Sequence, residues 1–154
     1  MKRGVRYNLK LTLAYLDLDN FKPFNDNYGH QEGDKILRLV GASMKAMLRS
    51  TDYAFRVGGD EFALLMTETD LESGAAAMER LRTIFNDEWR TMMSYLGNKL
   101  KPVTMSIGLA QLLDQEKSDK IQLRADLAMY EAKSAGGNRT VRAKKEIGVK
   151  DRNI

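Results

Sequence analysis

The chain has 154 residues, no cysteine, one histidine and a formal net charge of +4 from 25 Lys+Arg against 21 Asp+Glu. That length suits one domain with a core of its own. Without cysteine there are no disulfides, thiolate zinc sites or thiol nucleophiles, and with His30 alone there is no multi-histidine site, so a metal here takes oxygen ligands and belongs to the Mg, Ca or Mn class.

Residues 9–19 place Leu9, Leu11, Leu13 and Tyr15 on one face and Thr12, Ala14, Leu16 and Leu18 on the other, which predicts a central strand covered on both sides. After a short turn region around Pro23, residues 31–48 carry Ile36, Leu37, Val40, Met44, Met47 and Leu48 at helical spacing. Residues 51–57 and 61–67 read as two strands joined through Gly58-Gly59, a pair suited to the positive φ of a tight hairpin. Thr69 and Glu72 form a capping-box pattern ahead of a long amphipathic segment from Leu71 to Leu96, closed by Gly97. Residues 102–110 alternate as another strand, Ser118 caps a helix through about Ala135 that stops at Gly136-Gly137, and Arg139 to Arg142 adds a short edge strand. This order gives an α/β (α+β) sandwich with a mixed central β-sheet flanked by helices. Most of the nine methionines fall on the helical faces and read as core filler.

The positive charge is unevenly placed. Residues 1–10 contribute +4 and residues 139–154 another +4, so residues 11–138 sum to −4. The basic ends alone suggest a polyanionic partner, and no basic face interleaved with aromatics occurs in the body, so nucleic acid is not expected as a partner. No apolar stretch reaches the roughly 18 residues of a membrane span and none reads as a signal peptide, which predicts no membrane insertion and a cytoplasmic location.

Asp17 and Asp19 end a strand whose preceding same-face residues are apolar, where a charge is costly unless it lies at an open rim or holds a cation. An ordinary strand-end turn remains the alternative for that pair taken alone. Asp60-Glu61 follows the two glycines, and a hairpin beside the first strand would bring these carboxylates to Asp17, describing a Mg site that expects phosphate oxygens. An EF-hand fails, because Phe21, Lys22 and Tyr28 stand where that loop needs an oxygen ligand, glycine and glutamate. No phosphate-loop or dinucleotide fingerprint occurs.

Leu16-Asp-Leu-Asp-Asn-Phe-Lys22, Asn25-Asp26, Gly29-His30, Gly33-Asp34 and above all Arg56-Val-Gly-Gly-Asp-Glu-Phe62 resemble the GGDEF family of diguanylate cyclases. Val103-Thr-Met-Ser-Ile-Gly108 and Arg124-Ala-Asp-Leu-Ala-Met-Tyr-Glu-Ala-Lys133 are similar to its later signatures, in order, so the resemblance spans about residues 7–142. It implies a domain over 1–142 followed by a basic tail over 143–154, a fold similar to nucleotidyl-cyclase and polymerase palm domains, and condensation of two GTP into cyclic di-GMP and pyrophosphate. By the family pattern, Asp17, the Leu18 carbonyl and Asp60 hold Mg2+ or Mn2+, and Asp60 or Glu61 assists removal of the 3′-hydroxyl proton.

The resemblance further implies that Asn25 and Asp34 read the guanine edge with His30 close by, a sound specificity device because adenine offers no matching donor pair. Without the family, Asp34 is an acid near a helix start and His30 a turn histidine. Gly58 and Gly59 let the nucleotide approach the backbone, and Lys22 and Lys133 contact the terminal phosphates. Arg49-Ser-Thr-Asp52 matches the product-inhibition site, where an arginine and an aspartate grip the guanine of cyclic di-GMP. Catalysis then needs a homodimer, since each chain holds one GTP, and an upstream sensory domain is expected.

Two departures stand out. The family usually carries a preceding segment with an Asp-x-Leu-Thr turn and an Asn-Arg pair, so an incomplete domain is expected. It also has Gly-Arg-Asn where this chain has Gly136-Gly137-Asn138, which predicts weakened GTP affinity or turnover. A module that binds cyclic di-GMP or GTP as a sensor, with little or no catalysis, is therefore the alternative.

Overall fold

Alternating apolar residues on two faces make β1 (Leu11–Asp19) the centre of the sheet, since both of its faces must be covered. The computed structural model describes residues 10–94 and 100–146. After β1 come α1 (Phe21–Tyr28), α2 (His30–Met47), β2 (Tyr53–Arg56), β3 (Glu61–Thr67), α3 (Leu71–Met93), β4 (Thr104–Gln111), α4 (Ser118–Ser134) and β5 (Arg139–Arg142). The strands lie in the order β2-β3-β1-β4-β5, antiparallel except for β5, which runs parallel to β4 at the edge. The expected mixed sheet flanked by helices is therefore present.

One face of the sheet presents Ala14, Leu16, Leu18, Leu64, Met105 and Ile107 to a core shared with α1, α2 and α3. On the opposite face Leu13 and Ala110 pack against Ile121 and Ala125 of α4. Gly108 permits this close seating: a Cβ there would lie 2.0 Å from the Met129 nitrogen and 2.4 Å from the Ala125 oxygen. Arg124, buried in α4, pairs with the equally buried Glu116 at 2.9 Å and donates to the Gln111 and Lys144 carbonyls, fastening the helix to the ends of the sheet. A buried pair reinforced by carbonyl acceptors at Nε and Nη1 avoids the penalty of an uncompensated charge.

Several local expectations need correction. The turn region around Pro23 is helix α1: proline in a first helical turn forfeits no intrahelical bond, and burial of Phe21 and Phe24 favours the helix. Asn20 starts it in the left-handed region at φ 63°, and Gly29 at φ 88° separates it from α2. Asp70, not Thr69, caps α3, accepting from the Ser73 nitrogen at 2.8 Å, while Thr69 is drawn into bonds with Thr12 and Arg49. Ser118 is the first residue of α4 rather than its cap, which falls on Lys117 without a side-chain bond. Neither Gly58 nor Gly59 adopts positive φ, because the connection runs over Val57–Asp60 and spreads its reversal across more residues than a tight hairpin. Leu9, Leu96 and Gly97 lie outside the described residues, as do residues 147–154 of the tail. No helix among the described residues is long and apolar enough to cross a membrane.

Candidate functional site

The candidate site lies at the end of β1. Antiparallel pairing sets Asp17 opposite Glu61 on one side and Ser106 on the other. The Leu18 nitrogen donates to the Asp60 carbonyl at 3.1 Å, which ties the β2–β3 loop to β1. Arg56 stiffens that loop by donating to the Gly58 carbonyl at 3.1 Å and the Gly59 carbonyl at 2.8 Å.

Carboxylate oxygens of Asp17, Asp60 and Glu61 consequently lie within 4.8 Å of one another. Asp17 Oδ1 is buried without a hydrogen-bond partner. Burial pushes the Asp17 carboxyl up to about 6; Lys133 opposes the rise and the charges of Asp60 and Glu61 add to it. A carboxylate with an idle acceptor atom, crowded by two others, fits a hard divalent cation. Beside it a cleft of about 280 Å³ opens between Tyr15, Val57, Glu61 and Asp126.

Lys133, from the last turn of α4, enters the same region: its Nζ lies 3.5 Å from Asp17 Oδ2 and 3.3 Å from Asp19 Oδ1. Asp19, although on the same strand face, is not part of the carboxylate cluster. It is bonded instead to Thr104, Ser106 and the Asn138 nitrogen. Hydroxyls facing Asp19 across β4 were visible in the sequence as the polar side of an alternating strand, but only pairing register aims them at it.

Across the Asn20 bend, Asn25 Nδ2 contacts His30 Nδ1 at 3.2 Å, and Asn25 Oδ1 is buried without a partner. Lys22 and Asp34 stand exposed on α1 and α2 and make no hydrogen bond or ion pair among the described residues. Gly58 and Gly59 are exposed; a Cβ at Gly59 would meet nothing within 4 Å, and one at Gly58 would make only ordinary contact with the Glu61 side chain at 3.8 Å.

A second constellation forms at the other end of β3. Asp52 accepts from the Arg49 nitrogen and the Thr67 nitrogen, each at 3.0 Å, and from Arg49 Nε at 3.3 Å. Burial alone would raise the Asp52 carboxyl, but these bonds outweigh it and hold it below the usual carboxylate range. Arg49 also donates to the Thr67 carbonyl and to Thr69 Oγ1. Arg49 and Asp52 line a cleft of about 320 Å³ with Arg80 of α3 and the core methionines Met44, Met66 and Met78. Nothing in its local sequence singled out Arg80; only the packing of α3 brings it to this cleft.

Residues 1–139 match the family model described as "Diguanylate cyclase, GGDEF domain". The chain belongs to the GGDEF family. Among curated relatives, it is 38% identical over 129 residues to Diguanylate cyclase DgcP of Pseudomonas aeruginosa, covering 84% of this chain and 19% of that protein. Diguanylate cyclase A of Treponema denticola is 36% identical over 138 residues, covering 89% of this chain and 36% of the relative. The GGDEF domain thus spans well under half the length of these relatives. The crystallised GGDEF domain of DgcB from Caulobacter crescentus, in complex with c-di-GMP, superimposes with a TM-score of 0.76 at 32% identity over 87% of this chain and 78% of that one.

Proposed function

We propose that this GGDEF domain condenses two GTP molecules into cyclic di-GMP and pyrophosphate, the ribose 3′-hydroxyl of one attacking the α-phosphorus of the other. The observation that carries the reading is the convergence of Asp17, Asp60 and Glu61 beside the buried, unpartnered oxygen of Asp17. Asp17, the Leu18 carbonyl and Asp60 would hold a cation of the Mg2+ or Mn2+ class, which when bound neutralises charge on the triphosphate.

The chain's own residues supply positioning and proton transfer. Asp60 or Glu61, both on the β2–β3 loop end, takes the hydroxyl proton; general-base assistance of this kind contributes roughly a hundredfold to ten-thousandfold. The idle Asn25 Oδ1 and the Asp34 carboxylate accept from the guanine N1–H and N2–H₂ groups, with His30 restraining the Asn25 amide. Lys22 and Lys133 meet the terminal phosphates as point charges, and the exposed backbone at Gly58 and Gly59 admits the nucleotide. Because each chain holds one GTP, two chains face each other during turnover. Cyclic di-GMP returning to Arg49 and Asp52 inhibits, the domain works in the cytoplasm, and an upstream sensory domain sets the encounter of the two chains.

Incubation with GTP and Mg2+, followed by chromatography, tests this reading. Cyclic di-GMP forming at a rate that rises more than linearly with protein concentration is expected. No product from folded protein at high concentration overturns it.

A sensor without turnover is the second reading, favoured by one observation. Gly137 stands at φ +75° against Asp19, where a Cβ would approach to 2.8 Å, so the turn as folded leaves no room for the family arginine. Calorimetry with cyclic di-GMP on the wild type and Arg49→Ala separates the two readings when combined with the GTP assay.

A further inference from the structure

Asp19 shares a strand face with Asp17, yet its surroundings are of a different kind. Its Oδ1 accepts from Ser106 Oγ at 2.6 Å and from Lys133 Nζ at 3.3 Å; its Oδ2 accepts from Thr104 Oγ1 at 2.7 Å and from the Asn138 nitrogen at 2.9 Å. Four donors fill the roughly four lone-pair sites of a carboxylate. No acceptor capacity is left for a cation, which agrees with the absence of Asp19 from the converging cluster among the described residues.

The same carboxylate is a meeting point for three segments. Thr104 and Ser106 come from β4, Lys133 from the last turn of α4, and Gly137-Asn138 from the turn into β5. That turn rests so closely on Asp19 that a Cβ at Gly137 would come within 2.8 Å of the carboxylate.

Lys133 therefore stands between two anions of unequal availability, Asp19 at 3.3 Å and Asp17 at 3.5 Å. A divalent cation on Asp17 and the Lys133 ammonium compete for one carboxylate and repel each other at this range. We propose that Asp19 is a positioning residue: it shares the Lys133 ammonium with Asp17 and holds it on the Oδ2 side, leaving Asp17 Oδ1 to the metal and the ammonium to phosphate. The inference rests on the proposed metal role of Asp17, the Leu18 carbonyl and Asp60.

Mn2+ binding to the free protein, followed by the electron paramagnetic resonance signal of the aqueous ion, tests it without any turnover. Wild type, Asp19→Asn, Lys133→Gln and the double variant are compared. With its second anchor neutralised, Lys133 settles on Asp17, so Asp19→Asn weakens Mn2+ binding by roughly tenfold. Lys133→Gln changes the wild type by less than about threefold but restores most of the loss in the Asp19→Asn background. A merely structural or long-range charge effect of Asp19 predicts additive changes instead. Additivity, or Asp19→Asn binding as tightly as wild type, overturns the inference.

If Asp19→Asn loses its helical circular dichroism, Thr104→Val with Ser106→Ala takes its place. That pair keeps both charges and leaves the Asp19 carboxylate freer to hold Lys133, so Mn2+ binds at least as tightly as to wild type, and a tenfold weakening overturns the inference. A wild type that takes up no Mn2+ overturns the metal reading and this inference together, whereas additivity overturns this inference alone.

Discussion

Gly33 lies under Asn25 so closely that a Cβ on Gly33 would come within 1.9 Å of Asn25 Oδ1 and 2.9 Å of Asn25 Cγ. The glycine sits near the start of α2, where alanine would ordinarily favour the helix by about 1 kcal/mol. Its retention there preserves the position of the Asn25 amide, whose oxygen is buried and unpartnered.

Gly33→Ala accordingly drives the Asn25 side chain out of its place while the gain in helix propensity offsets part of the overpacking. Thermal unfolding shifts little, and the KM for GTP rises roughly tenfold, the loss of about one hydrogen bond. Calorimetry with a non-hydrolysable GTP analogue checks it; unchanged affinity removes Asn25 from guanine recognition.

Asp17 gives the metal-free protein a pH dependence of defined sign. Its carboxyl titrates near 6 in the folded chain, raised from 3.8 chiefly by burial, so between those values the folded state binds more protons than the unfolded one. Stability falls as pH rises through that window and levels off above it. Melting temperatures of wild type measured with chelator from pH 4.5 to 7.5 drop relative to Asp17→Asn, which lacks the titrating group. A difference between the two proteins that stays constant with pH contradicts the burial of this carboxylate.

Asp60→Asn and Glu61→Gln each lower kcat by roughly a hundredfold or more, with the larger loss marking the proton acceptor. The distinguishing measurement is Mn2+ affinity. Asp60→Asn weakens it, because the Asp60 carboxylate is an expected ligand, whereas a Glu61→Gln variant with intact Mn2+ binding and lost turnover assigns the proton to Glu61.

Arg49→Ala weakens cyclic di-GMP binding by at least about tenfold, since a charge-assisted donor is removed. Asp52 keeps its bond from the Thr67 nitrogen, so the β3 end stays in register and melting changes only modestly. Equal affinity in both proteins by calorimetry discounts the cleft between α2, β3 and α3 as the product site.

Gly108→Ala tests the packing of α4 on β4. The added methyl meets the backbone of Met129 and Ala125 at 2.0 and 2.4 Å, contacts that no flexible side chain can relieve. A loss of about 3 kcal/mol in urea unfolding is expected, with displacement of Lys133 as its functional consequence. A stability within error of wild type contradicts this seating.

Periodicity and glycine placement in the sequence were sufficient for the strands, the long helices and the edge strand, because those signals are local and β1 is apolar on both faces. The carboxylates at 17, 60 and 61 were legible as a set because each sits where a turn or strand end leaves it without an apolar explanation. Helix α1 was missed because Pro23 reads as a breaker unless Phe21 and Phe24 are known to be buried. The Thr69 capping pattern misled because tertiary bonds to Thr12 and Arg49 claim that residue and leave the cap to Asp70.

The sequence by itself determined which residue types are available for chemistry: oxygen ligands without thiols, acids at a strand end and a glycine-flanked acidic loop. Tertiary structure decided how those acids divide. Asp17 and Asp19 are equivalent by spacing, but antiparallel register sets Asp17 opposite Glu61 and Asp19 opposite Thr104. One is left with an idle buried oxygen among other carboxylates, and the other is saturated by hydroxyls, an amide and an ammonium. The reason is physical: a charge near the end of a central strand must be satisfied, and which partner satisfies it depends on neighbours that are tens of residues away along the chain.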